Sequence, residues 1–368
     1  MRLFDKRIIS HFDYLLIIFV LPLVFLSHHL ISETNEILAN KQLIYFTISF
    51  FAFAVVFILP IRKKLRIIPF LYWLGIILLL AVEFWGVTKL GAKRWLPMPI
   101  LNTTIQPSEL IKPIYILMLG YLIHSRPPPK NGYGVIDFIY FSFYILLPFI
   151  LIAKEPDLGT ALVMLLVGYG ILFIIGVNWK IWTGIILTIA ISSPFMYTYL
   201  IKDYQKKRIK DFISEKPSYH VQQSIIAIGS GGLVGKLSED ATQTQLKFLP
   251  IATSDFIFAY FVERYGFLGS LGLIFIYVLL IMHLLTMNYY FKDDYVIRAF
   301  ASGLALLLFL NMSVNILMVI GFAPVVGLPL PLFSYGGSSF INFAVIFAIL
   351  ENLLAFRYMD MYNYERKL

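Results

Sequence analysis

The sequence contains no cysteine. Structural disulfides, iron–sulfur clusters and cysteine zinc sites are excluded on that ground. Neither side of a membrane is excluded, because an absence of thiols suits both. Charge is scarce as well: 14% of the 368 residues are Asp, Glu, Lys or Arg, against about 25% in soluble domains. With 59% hydrophobic residues, the chain cannot cover a water-facing surface, and its solvent is mostly lipid. P-loops, G-x-S-x-G elbows and dinucleotide fingerprints are missing, so ATP hydrolysis and serine hydrolysis have no support. The six histidines show no metal-ligand spacing; His28 and His29 are adjacent and the rest are scattered. No solenoid repeat and no low-complexity tract is present. A net charge of +9 would suggest nucleic acid in a soluble protein. Here it reads as loop Lys and Arg that set topology and meet anionic membrane lipid, and nucleic acid is not an expected partner.

What is present is a series of apolar runs. A membrane helix needs roughly 20 mostly apolar residues. Such segments fall near 13–31, 42–60, 67–87, 107–123, 135–153, 159–176, 179–200, 263–286, 300–320 and 336–356. The fold expected is an all-α polytopic membrane protein with about ten transmembrane helices, a single integral membrane domain over 1–368. The least clear segments are 107–123, which holds Glu109 and Lys112, and the tight pair 159–176 and 179–200. The apolar run from Tyr14 to Leu26 follows Arg2, Lys6 and Arg7 but precedes no small-residue cleavage site. It is expected to stay as the first helix.

An even helix count puts both termini on one side. Most short-loop Lys and Arg fall on the side of the N-terminus, with Arg62, Lys63, Lys64 and Arg66 the densest group. The expected topology is therefore N-in/C-in. The large loop 201–262, between helices seven and eight, then lies outside the cytoplasm. Loops of this length are functional or disordered more often than mere connectors. Val221, Ile225, Ile226 and Ile228 beside Gln222, Gln223 and Ser224 make a short amphipathic pattern suited to a membrane surface. Gly229, Gly231 and Gly232 end that helix, and Phe256–Val262 is expected to return to the membrane edge.

Four clusters on the outer side are richer in polar and turn-forming residues than connectors need. The first runs G-A-K-R-W-L at 91–96 and Q-P-S-E-L-I-K at 106–112. Pro107 suits a first helical turn, and Glu109 and Lys112 share a helix face. They are a structural ion pair or substrate contacts, with even odds. Lys93 and Arg94 hold a phosphate or anchor the chain at the interface beside Trp95. In the second, Lys154–Thr160, Asp157 is well placed to cap the following helix. In the third, Asp255 directly precedes an apolar run, as a helix cap or as a general base. The fourth, Gly321–Ser339, puts three prolines and four glycines at membrane depth. Irregular backbone is tolerated there only against protein or a water-filled cavity. This is the strongest pointer to a site.

Taken in order, these stretches resemble the SEDS family of peptidoglycan polymerases. The resemblance spans nearly the whole chain. It is carried by the first cluster, by E-P-D-L-G-T-A-L at 155–162 and Y-H-V-Q-Q-S-I-I-A-I-G-S-G-G-L at 219–233, by D-F-I-F-A at 255–259, and by P-V-V-G-L-P-L-P-L-F-S-Y-G-G-S-S at 324–339. The form of the last motif is more similar to the elongation branch of the family than to its division branch. The resemblance implies a glycosyltransferase that joins lipid II units into glycan strands on the outer face of the cytoplasmic (inner) membrane. It places the catalytic aspartate on Asp255, the buried pair on Glu109 and Lys112, and a second acidic position on Asp157. Lys93, Arg94, Gln106 and Ser338 complete the substrate-binding set expected from the matching motifs. A divalent cation (Mg or Mn) is the expected cofactor. A class B penicillin-binding protein, a transpeptidase, and other rod-complex proteins are the expected partners. The chain departs from the family pattern twice: Thr253-Ser254 stands where His-Thr usually precedes the aspartate, and Glu263-Arg264 where two acids are usual. A lipid flippase or other secondary transporter is the competing class, and a pure scaffold a third. Polar groups gathered on one side favour chemistry at a surface over a path through the membrane.

Overall fold

Backbone in lipid must satisfy its own hydrogen bonds, and apolar runs of this length do so as helices. The structure, a computed structural model, describes residues 11–89, 92–98, 103–199, 206, 218–241, 243 and 253–357. In chain order the helices are α1 (Tyr14–Thr34), α2 (Glu36–Ile58), a short 3₁₀ turn (Arg62–Ile67) leading into α3 (Ile68–Trp85), α4 (Pro107–Ser125), α5 (Val135–Lys154), α6 (Leu158–Ile175) and α7 (Trp179–Tyr199). They continue with α8 (Tyr219–Gly231), α9 (Ile257–Tyr290), α10 (Tyr295–Val319) and α11 (Gly337–Ala355). Side-chain caps start several of them: Asp13 accepts from Leu15 N–H, Asn35 from Leu38 N–H and Asp294 from Ile297 N–H.

Among the described residues, eight helices are long and apolar enough to cross a membrane. The two remaining expected segments are also helical: α4 carries Glu109 and Lys112, and α7 has its apolar stretch at Trp179–Ser193. Large apolar side chains line the outside of the bundle, Phe25, Phe50, Phe70 and Ile191 among them, as a lipid-facing surface requires.

The centre of the bundle is α10, packed on α4, α6 and α9. Small residues bring these helices close, as is common between helices in membranes. A Cβ at Gly120 would stand 3.6 Å from Ala299 Cβ, and one at Gly303 only 2.6 Å from Ile116. Between α3 and α4 lies an element the sequence reading did not foresee. Three antiparallel strands, β1 (Val87–Lys89), β2 (Ala92–Met98) and β3 (Thr103–Ile105), form a small sheet in the order β1-β2-β3.

The helix expected from about 263 starts earlier, at Ile257, and takes in most of the Phe256–Val262 stretch. One helix, α9, runs from Ile257 and is kinked at Gly266, where φ is +66°. The segment after α8 takes over hydrogen bonds at the kink. Phe267 and Leu268 N–H donate to Gly232 and Leu233 carbonyls, and Lys236 N–H donates to Glu263 carbonyl. Three of the groups the kink frees are thus satisfied. Much of the expected 201–262 loop lies outside the described residues, as does Gly91.

Candidate functional site

Asp255 occupies a turn immediately before α9. The N-cap position belongs to Phe256, without a side-chain cap bond, so the capping role the sequence allowed is not the one adopted. The carboxylate instead lies against the irregular 321–336 segment. Gly327 has φ +71°, and a Cβ there would stand 3.6 Å from Asp255 Oδ2. A left-handed backbone with no side chain is what lets this loop approach. Two bonds stitch the two segments together, and a third, within the 321–336 segment, orients the Ser334 hydroxyl. Tyr335 N–H donates to Thr253 carbonyl (2.8 Å), Ser334 Oγ to Ser254 carbonyl (2.6 Å), and Leu330 N–H to Ser334 Oγ (2.8 Å). From α10, the Asn315 amide donates to the carbonyls of Asp255 (2.9 Å) and Leu328 (2.7 Å). Burial raises the Asp255 pKa above the ordinary carboxylate value, while a hydrogen bond from Ser254 pulls it back.

A second cluster sits at the N-terminus of α6. Asp157 caps that helix by accepting from Thr160 N–H at 3.3 Å, the role the sequence favoured. It also pairs with Arg94 at 3.6 Å and accepts from Gln106 Nε2 at 3.3 Å. Arg94 reaches across from β2 and donates to the Glu155 carbonyl (3.3 Å) and the Pro156 carbonyl. Its guanidinium therefore fastens the sheet to α6. Lys93 donates to the Glu83 carbonyl at 2.6 Å. Glu155 is buried, and neither carboxylate oxygen has a hydrogen-bond partner. Burial first, then Asp157 and Glu83, push its pKa up to about 8, against the pull of Arg94. This cluster adjoins the first, because a Cβ at Gly159 would stand 3.3 Å from Val326 Cβ and Leu328 Cγ.

Glu109 and Lys112 form the expected pair, 2.5 Å apart and nearly buried. Asn342 of α11 donates to the other Glu109 oxygen at 3.4 Å. The pair thereby links α4 to α11. Ser338 is exposed in the first turn of α11.

Both departures from the family pattern have partners. Thr253 and Ser254 present their carbonyls to Tyr335 and Ser334. Arg264 forms a two-pronged ion pair with Glu33 of α1 (2.6 and 2.7 Å), joined by the Tyr260 hydroxyl at 2.8 Å. Sequence reasoning missed Asn315, Asn342 and Glu33. For the two asparagines the only signal was polarity inside apolar runs, which in membrane helices marks contacts within the bundle; Glu33 lies just beyond the run at 13–31. Among the described residues no three His, Asp or Glu side chains gather to hold a metal.

A half-buried carboxylate beside a broken, glycine- and proline-rich segment, on a polytopic helical bundle, defines a membrane-embedded enzyme class. The chain matches the FtsW/RodA/SpoVE family, described as "Cell cycle protein", over residues 3–359, and it belongs to that family. Peptidoglycan glycosyltransferase MrdB of Helicobacter pylori (strain ATCC 700392 / 26695) is 53% identical over 359 residues, 98% of this chain and 94% of that protein. MrdB of Escherichia coli (strain K12) is 39% identical over 298 residues, 79% of this chain and 78% of that protein. Among solved structures, a chain of "Structural coordination of polymerization and crosslinking by a peptidoglycan synthase complex" superposes with a TM-score of 0.82 at 26% identity, covering 94% of this chain and 98% of that one. The rod shape determining protein RodA of Thermus thermophilus does so with 0.71, at the same identity and coverage.

Proposed function

We infer that the chain is a peptidoglycan glycosyltransferase of cell elongation, polymerising lipid II on the outer face of the cytoplasmic membrane with Asp255 as general base. The observation that carries this is the placement of Asp255. Its carboxylate is released from capping and half-buried, and the turn that carries it is held beside the Gly327 loop by bonds from two elements, α10 and the 321–336 segment. Relatives named peptidoglycan glycosyltransferase, matched over nearly the full chain, support the reaction class.

The reaction joins two lipid-linked sugars. Asp255 takes the proton from the acceptor's sugar hydroxyl. The oxygen attacks the anomeric carbon of the donor, and polyprenyl pyrophosphate leaves with inversion. A raised pKa suits the carboxylate to hold that proton, and base help of this kind contributes about 10²–10⁴-fold. The Arg94–Asp157–Gln106 cluster borders the same loop and shapes its wall. Its single guanidinium is already shared with Asp157, so its main work is to hold the wall in place. A divalent cation, where one is used, would be held by the substrate's own pyrophosphate oxygens with few protein ligands and would supply neutralisation of the leaving group's charge. A penicillin-binding protein supplies crosslinking, since one structural neighbour is a polymerisation and crosslinking complex and this chain carries no soluble catalytic domain among its described residues.

The test uses purified protein with its transpeptidase partner, labelled lipid II and Mg²⁺ or Mn²⁺. The expected result is a ladder of glycan polymer. Translocation of lipid II across sealed vesicles with no polymer would instead establish a transporter.

A further inference from the structure

We infer that Asn315 is a positioning residue for this transfer: its buried amide fixes the Asp255 backbone in register with Leu328 and so holds the carboxylate against Gly327. The inference rests on Asp255 being the base. Asn315 is fully buried near the end of α10. Both hydrogens of its Nδ2 are used, one on each carbonyl. Both carbonyls belong to irregular backbone, one in the turn before α9 and one in the 321–336 segment. Irregular backbone in such surroundings needs donors from its neighbours. Asn supplies two donors from one short, neutral group. Asp would offer only acceptors to two acceptors, Ala offers nothing, and Ser keeps a single donor.

Among the described residues the amide oxygen accepts no hydrogen bond, so the polar contacts Asn315 makes there are its two donated bonds to the carbonyls of Asp255 and Leu328. The turn also keeps its other fasteners without Asn315, because Ser334 still holds Ser254 and Tyr335 still holds Thr253. Loss of Asn315 therefore shifts Asp255 locally and leaves the segment attached. Asn315 is fully buried and acts through the Asp255 backbone rather than by touching substrate, so the defect belongs in kcat.

The experiment compares wild type, Asn315→Ala, Asn315→Asp, Asn315→Ser and Asp255→Ala, each as the full chain with its transpeptidase partner. Polymerisation of labelled lipid II is followed across substrate concentrations, with thermal unfolding of each variant alongside. A small displacement of a reacting group can lower rate by about 10²-fold. The expected result is a kcat loss of that order for Ala and Asp, with KM little changed, and partial recovery in Ser. Unchanged kcat in Asn315→Ala beside an inactive Asp255→Ala would overturn the positioning role and leave the base assignment standing. Loss of thermal stability and activity together, equal in Ala and Ser, would also overturn it in favour of a structural role. An active Asp255→Ala would overturn the base assignment itself, and the inference with it.

Discussion

At the scale of single residues, the structure turns ambiguous side chains into distinct roles. Asp157 and Asp255 look alike in sequence, each an acid just before an apolar run. Asp157 accepts the helix N–H of Thr160 and a guanidinium, while Asp255 caps nothing and faces Gly327. A base must be ionised to act. Because the Asp255 pKa is raised, the rate should fall as pH drops through a midpoint above about 4, the ordinary carboxylate value. A pH–rate profile flat down to that value would contradict the role. Gly327→Ala places a methyl group in a left-handed backbone 3.6 Å from the carboxylate, a strain of about 1–2 kcal/mol. Its polymerisation rate should drop at least about tenfold, with only a small change in thermal midpoint. Glu155, with a pKa near 8 in the folded chain, holds its proton more tightly folded than unfolded. Its contribution to stability is full below the unfolded value of about 4.3 and is lost as pH rises through 8. Wild type should therefore lose thermal stability on going from about pH 6 to pH 9, and Glu155→Gln should lose less. Parallel curves would refute the shift.

Elements show what was legible and what was not. The apolar runs announced helices at all ten expected places, because length and hydropathy are local properties. The sheet of β1–β3 escaped notice, since three short strands rich in Lys, Arg and Thr carry no strong periodic signal. The kink in α9 escaped for a different reason. Gly266 is one glycine among many in this chain, and only the docking of residues 232–236 makes it a break. The motif spanning 324–339 pointed to the site, but its partners on α9 and α10 depend on tertiary contact. Asn315 lay unremarked in a helix that reads as apolar. The Glu109–Lys112 spacing did foretell its pair. Removing one member of a buried pair leaves the other uncompensated, at about 3–5 kcal/mol. Lys112→Met should thus lower the thermal midpoint more than the double variant Glu109→Gln/Lys112→Met. A double variant that is the less stable of the two would show that the pair itself drives the α4–α11 association.

At the scale of the whole molecule, charge scarcity and architecture agree. The bundle exposes apolar surface around its sides and encloses a few polar groups at helix ends and in the broken segment before α11. Those groups converge from β2, α4, α6, α9, α10 and α11, so no single stretch contains the site. The 321–336 segment joins the two clusters: Asp255 lies beside Gly327, and Gly159 at the α6 N-terminus lies beside Val326 and Leu328, each too close to leave a side chain much room. An enzyme built this way holds its base in a turn fastened to helices and leaves the lipid-facing sides free for a lipid-linked substrate. The central claim is that Asp255 performs the proton transfer on which glycan synthesis depends. The most direct measurement is glycan polymer formed from labelled lipid II by wild type and by Asp255→Asn, which keeps shape and loses the base. Polymer from wild type and none from a folded Asp255→Asn is the predicted result. Equal polymer from both would contradict the account.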